Sequence, residues 1–149
     1  MNYRVIKTFH PNKGVSCCFR NWRAKTHCNV VHGHDLIFEV TFESEKLDER
    51  GWIIDFGCLG SLKDLIEETF DHKTIVAQDD PDINWYREGQ ARGIMALTEL
   101  PQVSTEQFAC WLAVRAHGVL CEMNLTDRVW VYSTRVYETG ANKAEYFIV

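Results

Sequence analysis

The 149-residue sequence has no long hydrophobic run and no excess of basic residues. Its apolar stretches fall short of the ~20 residues that a transmembrane helix needs, and residues 1–5 lack the apolar core of a secretory signal. With 16 Lys and Arg against 21 Asp and Glu, the net charge of −5 offers no basic surface for nucleic acid. We therefore expect a cytoplasmic protein without a membrane or nucleic-acid partner.

Six cysteines are present without an export signal, which favours reduced thiols over a disulfide framework. The length predicts one domain, residues 1–149. A hydrophobic content of 46% with five tryptophans is enough for a substantial core.

Alternating apolar residues predict the clearest strand, from Leu36 to Glu43, and a second at 128–138. Apolar residues at helical spacing predict helices at 57–70 and 104–121, the second starting with a capping box in which Ser104 and Gln107 bond each other's amides. Further strands are expected at 3–10 and 15–19, paired as a hairpin, and at 144–149. Reduced to its main elements, the predicted order is β-β-α-α-β-β, an antiparallel α+β fold with the helices on one sheet face.

Three reactive residues cluster at the start of the predicted third strand: Cys28, His32 and His34. Side chains two apart in a strand point to the same face, so the two imidazoles form half of a metal site. An alternative interpretation is a pair of polar residues on a solvated strand face.

Carboxylates and a further histidine recur later in the chain. Asp71 can orient the imidazole of His72, although a histidine at a helix C-terminus is also favoured by the helix dipole. Glu138 can accept two parallel N–H donors, although a glutamate at such a position is more often a solvated strand charge.

Five motifs then occur in one order and spacing: 28–34, 51–56, 71–73, 104–106 and 136–139. Together they resemble the 6-pyruvoyl-tetrahydropterin synthase / 6-carboxytetrahydropterin synthase family over nearly the whole chain. The resemblance implies a T-fold, with a four-stranded antiparallel sheet and two helices. It also implies homo-oligomers, trimers that stack into hexamers, with active sites between subunits.

The resemblance also implies the substrate, 7,8-dihydroneopterin triphosphate, and a role for each matched residue. Cys28 would be a general acid or base, Asp71 and His72 a second proton-transfer dyad, and His32 and His34 zinc ligands. The pterin edge would be anchored by Glu138, in a pocket lined by Thr105 and Glu106.

The chain departs from the family pattern at the third zinc ligand. Where family members usually have a histidine, this sequence has Phe19, so the third ligand is open, with Cys17 and His27 as candidates. The segment at about 76–102 is longer than the family's usual connection and is interpreted as an insertion, either over the active site or on the surface.

The leading hypothesis is therefore a lyase that releases triphosphate and yields 6-carboxytetrahydropterin, for 7-deazapurines such as queuosine. Three alternatives stay open: a 6-pyruvoyl-tetrahydropterin product, a metal-poor paralogue that binds pterin with altered or no turnover, and an enzyme that acts on another pterin side chain, for example by an aldolase-like cleavage.

Overall fold

A computed structural model describes residues 1–148, which form a mixed sheet of seven strands and three α-helices. The strands are β1 (Tyr3–Phe9), β2 (Val15–Phe19), β3 (His32–Ser44), β4 (Lys73–Ala77), β5 (Leu97–Leu100), β6 (Trp130–Tyr137) and β7 (Lys143–Phe147). The helices are α1 (Gly60–Phe70), α2 (Ile83–Ala91) and α3 (Thr105–Glu122). Val149, the end of the last predicted strand, lies outside the described residues.

Strand β3 is the longest strand, and its alternating sequence explains its position at the centre of the sheet. Every second side chain from Leu36 to Phe42 is completely buried, as period-two patterning predicts. On one side β3 pairs with β6, and β7 continues the sheet beyond β6.

The predicted hairpin between the first two strands is wrong. β1 and β2 run in the same direction and pair with successive parts of β3, from Ser44 to Phe38 and from Leu36 to His32. The intervening turn does not reverse the chain: His10 and Gly14 both have positive φ, and the Gly14 amide donates to the His10 carbonyl at 2.9 Å.

The predicted four-stranded antiparallel sheet with two helices is incomplete, because the sheet has seven strands and residues 73–100 form two parallel strands and a third helix. β4 pairs in parallel with β2, and β5 pairs in parallel with β4. Helix α2 joins β4 to β5, as parallel neighbours require a crossover connection. The sequence indicated a short helix at about 85–95; in the structure this helix begins at Ile83 and ends at Ala91.

Helices α1 and α3 match the predicted helices, apart from a 3₁₀ turn (Phe56–Leu59) before α1. The Ser104 hydroxyl accepts the Gln107 amide at 3.2 Å, which confirms that half of the predicted capping box. No helix within residues 1–148 is long and apolar enough to cross a membrane.

An aromatic cluster joins the two helices to the sheet. The Phe108 ring of α3 packs edge-to-face on Phe19 of β2 at 5.1 Å and on Phe70 of α1 at 5.0 Å. The Thr134 hydroxyl of β6 donates to the Ala109 carbonyl at 2.6 Å, which fixes α3 on the antiparallel part of the sheet.

Phe108→Ala should therefore be the more damaging of two truncations on α3. Phe108 is completely buried, so the free energy of unfolding should fall by roughly 3–5 kcal/mol because a cavity opens between α1, α3 and β2. Val114, which is 62% exposed on the same helix, serves as the control, and Val114→Ala should change stability by less than ~0.5 kcal/mol. Chemical denaturation measures both, and equal losses would contradict this packing.

Candidate active site

The two histidines of the metal motif lie side by side against Phe19. In the register of β2 on β3, Phe19 is opposite His32 and Cys17 is opposite His34. The His32 and His34 ring centroids are 4.4 Å apart, and the Phe19 ring stacks on His34 at 4.1 Å. Phe19, which occupies the position of the third ligand, therefore packs an apolar ring against the histidine pair.

Both imidazoles are oriented through Nδ1. His32 Nδ1 donates to the Val30 carbonyl at 2.6 Å, and His34 Nδ1 lies 3.1 Å from Glu138 Oε1. The His34 side chain is only 6% exposed, and its Nε2 is buried without a hydrogen-bond partner. Burial lowers the pKa of His34, and His32 adds to this, while Glu138 opposes it. The neutral ring is favoured.

Cys28 lies in a short 3₁₀ turn, His27–Asn29, immediately before β3. The Thr26 hydroxyl accepts the Cys28 amide at 3.4 Å, and the Asn21 amide donates to the Cys28 carbonyl at 2.9 Å. The residue as a whole is partly exposed. The two hydrogen bonds fix the main chain of Cys28.

Asp71 and His72 form the predicted pair at the end of α1. Asp71 Oδ2 lies 3.0 Å from His72 Nδ1, and the His72 ring is 85% exposed. His72 has a φ of 56°, a left-handed conformation that is uncommon for a non-glycine residue. Its amide donates to the Ser16 carbonyl at 2.7 Å. A carboxylate-oriented, solvent-facing imidazole at this position can transfer protons.

The three predicted substrate-binding residues meet in one small cavity. Thr105 and Glu106 start α3, Glu138 follows β6, and all three line a recess of about 110 Å³. Lys143 of β7 contributes to the same lining. Residues 33 positions apart in sequence are thus neighbours around an acidic, hydrogen-bonding recess.

Sequence reasoning missed three residues that connect this region to the Asp71–His72 pair. Asn12, Lys13 and Asp35 line both a cleft of about 640 Å³ that contains Asp71 and His72 and a cleft of about 280 Å³ that contains Glu138. The signals available were the position of Asp35 directly after His34 and the turn at 11–14. Two adjoining clefts therefore lead from Glu138 to the dyad.

Cys28 is not brought to the dyad within one chain. His72 is fixed at Ser16, near the start of β2, whereas Cys28 bonds Asn21, beyond its end. Across residues 1–148, Cys28 makes no hydrogen bond with Asp71 or His72.

The residues present fit two zinc ligands but not three. Contacts through Nδ1 leave Nε2 of His32 and His34 as the nitrogen available to bind a metal, as in histidine-zinc sites. Catalytic zinc normally has three protein ligands, and Phe19 has no donor atom. No three His, Cys, Asp or Glu side chains in the described part of the chain are placed to hold a metal ion.

Neither Cys17 nor His27 forms a group of three possible metal ligands with His32 and His34 within residues 1–148. The Cys17 thiol is buried, and burial, with neighbouring Cys18, Asp35 and Asp71, raises its pKa to about 12, which disfavours the thiolate that metals bind. His27 is exposed at the start of the 3₁₀ turn.

Comparison with known proteins shows the family. The model of the 6-pyruvoyl tetrahydropterin synthase family matches residues 10–148. The chain belongs to this family. It is 40% identical over 114 residues to the 6-carboxy-5,6,7,8-tetrahydropterin synthase of Rickettsia conorii, covering 75% of this chain and 79% of that one. The Aquifex aeolicus enzyme of the same name is 32% identical over 98% of both chains.

Part of this similarity is local. The match to the Rickettsia typhi 6-carboxy-5,6,7,8-tetrahydropterin synthase is 42% identical but spans 60 residues, 40% of this chain and 44% of that relative.

Solved structures show the same T-fold at low identity. An uncharacterised Wolinella succinogenes protein superposes with a TM-score of 0.84 at 21% identity, over 100% of this chain and 99% of that one. The 6-pyruvoyl tetrahydropterin synthase of Plasmodium falciparum superposes with a TM-score of 0.66 at 17% identity, over 99% of both chains. The predicted fold class is therefore confirmed, with the added strands described above.

Phe19→His should create a zinc site, because the centroids of the His32 and His34 rings already lie 6.3 Å and 4.1 Å from that of the Phe19 ring. We expect purified Phe19→His protein to retain about one zinc per chain after dialysis, and the wild type much less, as measured by elemental analysis.

Two further variants control for this gain. Phe19→Leu removes the ring without adding a ligand and should stay as metal-poor as the wild type. Adding His34→Ala to Phe19→His should abolish the gained zinc. Stoichiometric zinc in the wild type would show that a third ligand exists elsewhere.

Proposed function

We propose that this protein is a lyase that converts 7,8-dihydroneopterin triphosphate and water to 6-carboxy-5,6,7,8-tetrahydropterin, with release of triphosphate and of the two outer side-chain carbons as acetaldehyde. One observation carries the proposal: Glu138 shares a recess with Thr105 and Glu106 and is joined by adjoining clefts to Asp71 and His72. An acceptor for the pterin edge and a proton-transfer pair thus lie on one connected surface. The names of the Rickettsia conorii and Aquifex aeolicus relatives support the carboxy product.

Glu138 would hold the substrate by its ring. A carboxylate can receive the 2-amino and ring N–H groups of a pterin as two parallel hydrogen bonds. The neighbouring His34, kept neutral by burial, supplies a polar contact at 3.1 Å without a competing positive charge. The substrate side chain would extend from there towards the dyad.

Proton transfer would fall to Cys28 and to the Asp71–His72 pair. An acid and a base on different sides of the substrate side chain can move the protons that elimination of triphosphate requires. Zinc has only two fitting ligands in this chain, so the proposed proton transfers depend on Cys28, Asp71 and His72.

The separation of Cys28 from His72 supports a site assembled between copies. We propose that the protein is a homo-oligomer, a trimer or hexamer, in which Cys28 of one subunit works with Asp71 and His72 of another. The queuosine pathway, in the cytoplasm, is the proposed setting, and free thiols at all six cysteines are consistent with a reducing compartment.

Direct assay tests the reaction. Purified protein is incubated with dihydroneopterin triphosphate, and triphosphate release and pterin products are followed by mass spectrometry. A 6-carboxytetrahydropterin product supports the proposal, and a 6-pyruvoyl product favours the alternative activity. Pterin binding without triphosphate release would refute the lyase assignment and favour a paralogue that only binds pterin.

Two substitutions should separate binding from chemistry. Cys28→Ala should lower kcat by about 10²-fold or more, because an acid–base group is lost, while pterin affinity is unchanged. Glu138→Ala should weaken pterin binding by about tenfold or more, because charge-assisted hydrogen bonds are lost. Activity assays and calorimetric titration measure these effects. Cys58→Ala and Glu122→Ala, at exposed positions, are the controls.

Mixing inactive variants tests the shared site. If Cys28 and His72 act from different subunits, co-refolded Cys28→Ala and His72→Ala proteins should recover activity, because some mixed interfaces contain both intact residues. Each variant alone should stay inactive. Lack of recovery in mixed oligomers, verified by native mass spectrometry, would place both residues in one subunit's site.

A further inference from the structure

The insertion contacts the segment that carries Cys28 through a compact set of aspartates. We define the acidic turn as Asp79, Asp80 and Asp82, between β4 and α2, and the cysteine loop as residues 20–29, between β2 and β3. The acidic turn and the cysteine loop are about 60 residues apart in sequence, but each aspartate of the turn binds a side chain of the loop.

The strongest contact is a two-pronged ion pair. Arg20 Nε donates to Asp80 Oδ2 at 3.0 Å and its Nη2 donates to Asp80 Oδ1 at 2.6 Å. Arg20 Nη2 also donates to Asp82 Oδ2 at 2.6 Å. The Asp80 side chain is 1% exposed and that of Arg20 is 17% exposed. Removing one partner of a buried pair leaves an uncompensated charge, so this contact is costly to break.

Asp79 binds the next part of the loop. Trp22 Nε1 donates to Asp79 Oδ1 at 3.1 Å, and the Arg23 guanidinium donates to both Asp79 oxygens. The same guanidinium lies over the Trp22 ring, 4.1 Å from its centroid. Unlike Asp80, Asp79 is half exposed, so it can be substituted without burying an unpaired group.

The anchored residues are joined to Cys28 by hydrogen bonds inside the loop. Besides the bond from the Asn21 amide to the Cys28 carbonyl, the Asn29 side-chain amide donates to the Trp22 carbonyl at 3.2 Å and to the Ala24 carbonyl at 3.0 Å. The residues on both sides of the thiol are thereby tied to the segment that the aspartates hold.

We propose that the acidic turn positions Cys28. It fixes the cysteine loop on the core of the domain and thereby holds the Cys28 thiol in the position that its proposed role in proton transfer requires. The catalytic part of this inference rests on the proposed role of Cys28, whereas the mechanical part does not. In this proposal the insertion does not cover the active site as a lid. It is also more than a surface segment without a role. Asp79, Asp80 and Arg20 are positioning residues, since they act through the loop.

Thiol labelling tests the mechanical part without using activity. Full-length Asp79→Asn and Asp80→Asn proteins are treated with iodoacetamide, and the labelling rate of each cysteine is followed by peptide mass spectrometry. We expect Cys28 to label about tenfold faster in Asp80→Asn. Loss of the buried ion pair raises the fraction of molecules in which the cysteine loop is detached from the acidic turn. Asp79→Asn should give a smaller increase, and Asp80→Glu should restore part of the wild-type rate.

The chain supplies its own controls. Cys17 is buried in β2 and labels only if the core opens, so a constant Cys17 rate shows that the fold is intact. Glu99→Gln removes the Arg87–Glu99 pair, an exposed ion pair of 2.7 Å within the same insertion, and should leave Cys28 unchanged. If Asp80→Asn loses the fold, Asp79→Asn carries the test.

Kinetics tests the catalytic part. Where the wild type is active, Asp80→Asn should lower kcat with little change in KM, because the pterin anchor at Glu138 is not part of this contact. A wild type without activity would refute the proposed function but not the labelling result. Unchanged Cys28 labelling in both Asp79→Asn and Asp80→Asn, with the fold intact, would overturn the inference.

Discussion

The register of β2 on β3 is the constraint on which the candidate site depends. It places Phe19 and Cys17 on the same sheet face as His32 and His34, and it leaves Ser16 on the opposite face. A slip of one residue would exchange these faces. The buried alternation of β3 from Leu36 to Phe42 excludes such a slip, because it would expose the core. The strand pairing that stabilises the fold therefore also determines which side chains lie beside His32 and His34.

The histidine pair shows how one substitution changes what a site can do while its neighbours stay in place. Phe19 stacks on His34 and packs on Phe108, so it belongs to the core and to the site at once. Its ring removes a ligand but keeps the imidazoles oriented by Val30 and Glu138. The result is an arrangement with two histidine donors, in which Glu138 contacts His34 and, in the proposed function, the substrate.

Sequence patterns predicted those features whose causes are local. The alternation of β3, the Ser104 cap and the two main helices follow from neighbouring residues, and the order of motifs placed Thr105, Glu106 and Glu138 together. The failures have long-range causes. β4 and β5 are short strands whose parallel pairing is decided by β2 and by the crossover of α2. The false hairpin came from the turn at 11–14, where positive φ at His10 and Gly14 carries the chain onward instead of back.

The position of Gly14 bears on how long a ligand the two adjoining clefts can accept. A Cβ at this position would come within 2.7 Å of the Asp35 carbonyl carbon, so the turn lies directly on the main chain of β3. Asn12, Lys13 and Asp35 form the common floor of the two clefts. This close contact between the main chains of the turn and of β3 fixes the distance between Glu138 and His72. Substituting Lys13 would alter the charge along this span but not its length.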